Sequence, residues 1–312
     1  MNKKQIENKV LLLLKERRAR ALDLAIKNKQ KALSNPAFLQ CENSLRSLEI
    51  DLAKATKQNV AALKSTQAAL EKQKQELLQQ MGMTPSDLIP KPTCPKCNDT
   101  GFVCGKQCSC FKNMVLYELL KNSGIEAKDL VGFDSFNTAV ATDSAHKQAL
   151  ESYKNFLLNI AEKFPNQKPK NILVCGPTGT GKTFGAKCLT KEVLKKQETA
   201  LFLSAFEFNS LLLKYHTSFI EDKNSIMESL TEPQLLVIDD LGTEPMLKNV
   251  TKEYLFNILC ERTEKGKTTF ITTNLGLQHI LERYGERIFS RLTDKQKSVA
   301  LQLLGTDLRH NK

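Results

Sequence analysis

Asn171-Ile172-Leu173-Val174-Cys175 is a largely apolar run, and Gly176-Pro177-Thr178-Gly179-Thr180-Gly181-Lys182-Thr183 follows it without a break. The second stretch fits G-x-x-x-x-G-K-[ST]. Residues 182–197 read as a helix, so the motif lies between a strand and a helix, the context it requires. Its glycines let successive backbone N–H groups wrap phosphate oxygens, and the positive helix N-terminus adds attraction. Lys182 is spaced to reach the β- and γ-phosphates of ATP, and the Thr183 hydroxyl to ligate Mg²⁺. Gly176, Pro177, Thr178, Gly179, Thr180, Gly181, Lys182 and Thr183 are therefore the candidate nucleotide-binding residues.

Outward from this motif, apolar runs at 200–203, 235–239, 268–273 and 298–303 alternate with helical stretches at 182–197, 205–215 and 250–265. Such alternation predicts an α/β fold, a parallel sheet with helices on both faces. Leu235-Leu236-Val237-Ile238-Asp239-Asp240 is an apolar strand ending in two acids. Asp239 is placed to hold Mg²⁺ through its water shell, and Asp240 to polarise an attacking water. Two adjacent carboxylates repel unless a cation sits between them. Thr272-Thr273-Asn274 ends another strand, and a neutral amide there can bond the γ-phosphate or orient water without adding charge. Arg287 and Arg291, four apart, share one face of a predicted helix. One of them, Arg291 by preference, fits an arginine finger reaching a neighbour's ATP. The alternative is an internal salt bridge with Glu282 or Glu286.

The first 82 residues differ in kind: one Pro, one Gly, and many Leu, Ala, Lys, Gln and Glu, good helix formers. Asn35-Pro36 should end an early helix over residues 3–33. From Leu45, the positions Leu48, Leu52, Ala55, Leu63, Leu70 and Leu77 form one stripe, which predicts a single long helix and hence an antiparallel hairpin. A pair so thin leaves apolar surface to cover, which favours docking on another protein's helices over a self-contained bundle. Of the net charge of +12, residues 1–93 carry +8. Either a nucleic-acid or acidic-protein partner or a solvated helical surface accounts for that excess. Gly82, Pro85, Pro90 and Pro92 then mark a boundary. The longest early apolar run, Val10 to Leu14, is five residues, short of the roughly 18 of a membrane span or the 7–15 of a secretory signal. A cytoplasmic protein with no membrane partner is expected.

Cys94, Cys97, Cys104, Cys108 and Cys110 crowd into 17 positions, while Cys41, Cys175, Cys188 and Cys260 are scattered and read as small core residues. In a cytosolic chain such a cluster points to a metal rather than to disulfides. Cys94-x-x-Cys97 and Cys108-x-Cys110 offer paired thiolates suited to tetrahedral Zn²⁺. Five thiols compete for four places, and an Fe–S cluster or unliganded buried thiols are the other readings. None of His146, His216, His279 and His310 shows ligand spacing.

Several of these segments resemble the DnaC/DnaI-type replicative helicase loaders of bacteria, which are AAA+ ATPases. The resemblance runs from Asn171 through Asp240-Leu241-Gly242-Thr243-Glu244, then Thr273-Asn274-Leu275, Glu286 to Leu292, and Leu304-Gly305-Thr306-Asp307-Leu308-Arg309. The cysteine segment with Asp99-Thr100-Gly101-Phe102, and the stretch from Phe133 to Phe136, resemble the zinc-containing Gram-positive versions. The resemblance covers about 94–312; the helical front matches in character alone. It implies a helicase-binding helical domain at 1–83, a zinc knuckle and linker at 84–132, and an AAA+ ATPase at 133–312. Such proteins bind the hexameric DnaB-type helicase with the N-terminal part. Their AAA+ domains self-associate, bind ATP between subunits and engage single-stranded DNA. On this pattern Lys182 and Thr183 match the Walker A element, Asp239 and Asp240 Walker B, Asn274 sensor 1, and Arg291 the finger. Cys94, Cys97, Cys108 and Cys110 match the zinc ligands, with Cys104 spare.

The acid pair departs from the Asp-Glu of most AAA+ ATPases, which implies slow hydrolysis. The chain stops soon after Arg309, so no helical lid domain is expected, nor an ordinary place for a sensor-2 arginine. Lys214, Tyr215 and Lys223 lie where loaders present a DNA-facing helix, although a solvated surface reads the same. Two rivals share the motor: an IstB-type transposition helper, which generally lacks the cysteine knuckle, and a zinc adaptor that binds nucleotide without turning it over.

Overall fold

The computed structural model describes residues 2–55, 59–141 and 143–310, and the chain divides into one unit of residues 9–111 and another of residues 112–312 with 1–8. Three helices open the chain: α1 (Lys3–Leu33), α2 (Pro36–Lys54) and α3 (Val60–Gln80). Pro36 occupies the first turn of α2, and the Asn35 side chain accepts from the amides of Ala37 and Phe38, a cap that satisfies otherwise orphaned donors. The single long helix expected from Leu45 onward is not formed. α2 ends at Lys54, with Ala55 extended, and α3 begins anew. The apolar stripe lengthens its step there, from Ala55 to Leu63, which weakens the helical periodicity of the sequence. The hairpin is instead α2 against α3, joined by Lys74–Glu42 at 2.7 Å and by a cluster of Phe38, Leu78, Ala32 and Met83. After it come a short antiparallel ribbon, β1 (Phe102–Val103) and β2 (Lys106–Gln107), and α4 (Ser109–Lys121).

In the larger unit follow α5 (Ser144–Lys163), β3 (Asn171–Cys175), α6 (Lys182–Lys195), β4 (Ala200–Ser204), α7 (Ala205–Thr217) and α8 (Ile220–Thr231). Then come β5 (Leu235–Asp239), α9 (Thr251–Glu264), β6 (Thr268–Thr273), α10 (Leu277–Tyr284), α11 (Glu286–Thr293) and β7 (Ser298–Gln302). The five long strands pair in the order β4-β5-β6-β3-β7, all parallel. This is the expected α/β architecture, a parallel sheet covered by helices. Every residue of β3, β5 and β6 is buried, which is why these strands read as runs dominated by Val, Ile, Leu, Phe and Thr rather than as alternating patterns. Leu173, Leu236, Ile238 and Ile271 pack with Phe208, Leu255, Leu259 and Tyr284 of the covering helices.

Register then sets the site. Cys175 pairs with Thr273, and Ile238 with Ile271, so β3, β6 and β5 end side by side. β6 lies between the strand feeding the glycine loop and the strand ending in the acids. Among the described residues, no helix is long and apolar enough to cross a membrane.

Candidate functional site

The loop after β3 turns at Gly176, where a Cβ would fall 2.1 Å from the Leu303 carbonyl oxygen. Gly181 caps α6 with φ +97, a left-handed backbone that costs glycine nothing. Lys182 follows and is 4% exposed. Its Nζ folds back over the loop, donating to the carbonyls of Gly176 (2.8 Å) and Pro177 (2.7 Å) and to Asn274 Oδ1 (2.8 Å). Burial pulls its pKa down, and the nearby Asp240 and Asp239 act against that. The carboxylate oxygen Oδ1 of Asp239 accepts from the hydroxyls of Thr183 (3.0 Å) and Thr272 (2.6 Å). Burial raises the Asp239 carboxyl above the usual range, the Thr272 hydroxyl opposes this, and Asp240 pushes the same way as burial. Asp240 takes a left-handed φ of +57, its amide donating to Thr272 Oγ1 at 2.8 Å. Asn274 Nδ2 stands 3.5 Å from its Oδ1.

Lys182, Thr183, Asp239, Asp240 and Asn274 thus meet in one place. They line a cavity of about 550 Å³ that continues past Phe136, Val140, Leu150 and Leu308. One end is cationic and acidic, the other apolar, the polarity of a nucleotide laid phosphates-first onto the loop. The oxygens of Thr183 and Asp239 form the hard donor pair that Mg²⁺ takes. The adjacent Asp239 and Asp240 carboxylates repel each other, and a cation between them would relieve that repulsion.

The chain matches the family model described as IstB-like ATP binding protein over residues 139–299, more than half of its length. The chain belongs to that family. Among characterised proteins, this IstB-like chain is similar to the replicative helicase loader DnaC of Escherichia coli (strain K12), 23% identical over 122 residues, 39% of this chain and 49% of the relative. DnaC of Shigella flexneri matches to the same extent. The chain spans about half the length of the curated relatives it matches. Among solved structures, the DnaC helicase loader aligns over 55% of this chain and 95% of its own, with a TM-score of 0.45 at 20% identity. DnaI aligns over 59% and 94%, with a TM-score of 0.47 at 18% identity.

The arginine pair of this IstB-like protein lies elsewhere. Arg287 and Arg291 are exposed on α11, their guanidinium centres 4.2 and 5.9 Å from the Phe256 ring, and neither lines the cavity. The alternative salt bridge with Glu282 or Glu286 is not formed among the described residues. On α7 and α8, Lys223 Nζ stands 5.7 Å from the Tyr215 ring, and Tyr215 packs edge-on to Tyr254 at 4.9 Å.

In the smaller unit, the sulfurs of Cys94, Cys97, Cys108 and Cys110 all lie within 4.8 Å of one another. Cys104 is exposed at the tip between β1 and β2. The Sγ–Sγ distances of 3.8 Å for Cys94–Cys108 and 3.4 Å for Cys97–Cys110 compare with about 3.8 Å for the edge of a tetrahedron with Zn–S bonds of 2.3 Å. The donor set therefore fits zinc. Asp99 builds the knuckle: buried, with left-handed φ of +55, it accepts from the amides of Thr93 (2.7 Å) and Cys94 (2.9 Å). The Cys110 amide draws the Cys108 thiol down to about 7, while burial pushes Cys110 up.

Sequence reasoning missed the apolar wall of the cavity, since Phe136, Val140 and Leu308 come from loops with no periodic signal. It missed Thr272, which reads as an ordinary strand residue. It also gave Arg309 no setting, yet Arg309 lines the cavity. The last segment lies along the glycine loop through the amides of Leu303 to the Cys175 carbonyl (2.8 Å) and Leu308 to the Gly179 carbonyl (3.0 Å).

Proposed function

We propose that this chain is an ATP-dependent loader that places a hexameric DnaB-type replicative helicase onto single-stranded DNA at the initiation of replication. The observation that carries the reading is the convergence of Lys182, Thr183, Asp239, Asp240 and Asn274 at one cavity, in a chain related to loaders named DnaC. In this reading Lys182 Nζ gives up Asn274 Oδ1 and the loop carbonyls for β- and γ-phosphate oxygens. Asn274, released, bonds the γ-phosphate, and Asp240 orients a water for in-line attack. Mg²⁺, when bound between Thr183 and Asp239, supplies neutralisation of charge on the phosphate oxygens. Arg291, on a surface away from its own cavity, reaches the site of a neighbouring AAA+ domain, so turnover requires self-association. Asp240 is shorter than the usual glutamate, and turnover is slow. Nucleotide occupancy acts chiefly as a switch that biases assembly and grip.

The division of labour is a helicase-binding part at 1–83, a zinc knuckle and linker at 84–132 and the ATPase at 133–312, in a cytoplasmic protein. Zinc on Cys94, Cys97, Cys108 and Cys110 stiffens the knuckle. The test is co-purification of the full chain with the replicative hexamer of the same cell. A stable complex whose affinity responds to ATP supports the loader; none at micromolar concentrations removes it. The matched family model favours a transposition helper as the second reading. Against it stands the cysteine knuckle, and binding to a transposase in place of the hexamer would reverse that preference.

A further inference from the structure

Glu244 lies five residues beyond Asp239, at the end of the turn that begins with Asp240, and the ATP chemistry above gives it no part. Its side chain is 1% exposed, an environment in which a carboxylate survives only with good partners. Oε2 accepts from the Gly242 amide at 2.7 Å, closing the turn on itself. Oε1 accepts from the Tyr284 hydroxyl, and the Arg283 guanidinium donates to the Glu244 carbonyl at 2.5 Å. Within the same turn, the Thr243 hydroxyl donates to the Asp240 carbonyl at 2.9 Å. Tyr284 is the last residue of α10, and Gly285, with φ +86, both ends α10 and starts α11. One carboxylate therefore joins the turn carrying Asp240 to the corner from which the arginine helix springs. The far end of α11 is also held. The Arg291 carbonyl accepts from Ser298 Oγ at 2.6 Å and Asn171 Nδ2 at 3.4 Å, the first residues of β7 and of the strand that feeds the glycine loop.

We propose that Glu244 is a positioning residue: it locks the Asp240 turn to the α10–α11 corner, so that each subunit's own nucleotide site sets the direction of the arginines it offers to its neighbour. This rests on the reading of Arg291 as a residue acting in trans. A change at the acid pair moves the turn, the turn moves the corner through Glu244 and Tyr284, and α11 reorients as a rigid rod because its far end is pinned. Occupancy in one subunit is thereby passed to the next.

The test uses the full chain at concentrations where it self-associates, reading ATP turnover at saturating nucleotide and affinity for a fluorescent ATP analogue. Glu244→Gln places an amide donor against a donor, and Tyr284→Phe removes one hydroxyl from a packed core and keeps the test alive should the first variant fold poorly. Each is expected to lower turnover about 10- to 100-fold, the cost of misplacing a reacting group by about an ångström, with analogue affinity within twofold of wild type. Mixing with Asp240→Asn, which binds nucleotide but does not turn it over and keeps Glu244, Tyr284 and Arg291, should restore turnover, as it should for Arg291→Ala. Unchanged turnover in both variants overturns the proposal. So does rescue of Arg291→Ala without rescue of Glu244→Gln, which would place Glu244's effect in its own site. Failure to rescue even Arg291→Ala would remove the trans reading itself, and the proposal with it.

Discussion

Replacing Lys182 with Ala removes three hydrogen bonds from a buried ammonium, to Gly176, Pro177 and Asn274. In the nucleotide-free protein their removal is offset by relief of the ammonium's desolvation, which pulls its pKa down, so stability should change by no more than about 1 kcal/mol. With nucleotide the balance differs, because alanine cannot make the charge-assisted bond to phosphate, worth about 1.5–3 kcal/mol. Affinity should therefore fall about 10- to 150-fold. At a ligand concentration 100 times the wild-type Kd, binding stabilises by about 2.7 kcal/mol; at a Kd a hundredfold weaker, by about 0.4 kcal/mol. For a unit of some 200 residues, the upward shift in Tm on adding Mg·ATP should drop from about 5–10 °C to about 1 °C. Differential scanning calorimetry with and without a non-hydrolysable analogue measures both numbers. A variant that keeps the full shift would refute the placement of phosphate on this loop. One that melts many degrees lower without ligand would make Lys182 a strut of the fold rather than a phosphate ligand.

Asp240→Asn should leave nucleotide affinity within about twofold and cut turnover at least about 100-fold, read by phosphate release. Asp239 has its folded pKa raised by burial, so its neutral form is favoured in the native state. That contribution is present below the ordinary carboxylate value of about 3.9 and is lost as pH rises through the raised value. Asp239→Asn should accordingly melt higher than wild type at pH 7.5 without nucleotide, and the difference should close on acidification; a constant difference would contradict the burial argument. Gly185→Ala adds a Cβ 2.6 Å from the Tyr153 ring and 2.7 Å from Leu157 Cδ1, and should cost about 1–3 kcal/mol by denaturant titration, against a helix-propensity gain of about 1 kcal/mol. Metal analysis should find one zinc per chain, absent from Cys97→Ser and retained in Cys104→Ser. A zinc content near zero in cleanly purified wild type would leave the four thiols without their expected ion.

The sheet of the larger unit was legible because its central strands are buried on both faces. Asn171–Cys175, Leu235–Asp239 and Thr268–Thr273 are strands over the same residues that their apolar runs suggest. The glycine loop declared itself by composition. Legibility failed where tertiary contacts decide. The stripe from Leu45 to Leu77 is split by an eight-residue step, and α2 and α3 fold on each other there. Helix α5 carried a usable signal, Leu150, Tyr153, Leu157 and Ile160 at steps of three and four, obscured by the polar residues between. The cavity's apolar wall and the Glu244–Tyr284 contact join residues 40 to 170 positions apart, and no local pattern encodes such a meeting. Selection of four sulfurs from five was likewise invisible to spacing alone; the turn at Cys104, with φ +48, carries that thiol out to the hairpin tip.

Transfer of the replicative hexamer onto a protein-coated single-stranded DNA circle tests the account most directly. With the wild-type chain and ATP, the helicase should become bound to the circle, and with Lys182→Ala it should stay in solution. Equal transfer in the absence of nucleotide, or with the lysine variant, would contradict an ATP-governed loader.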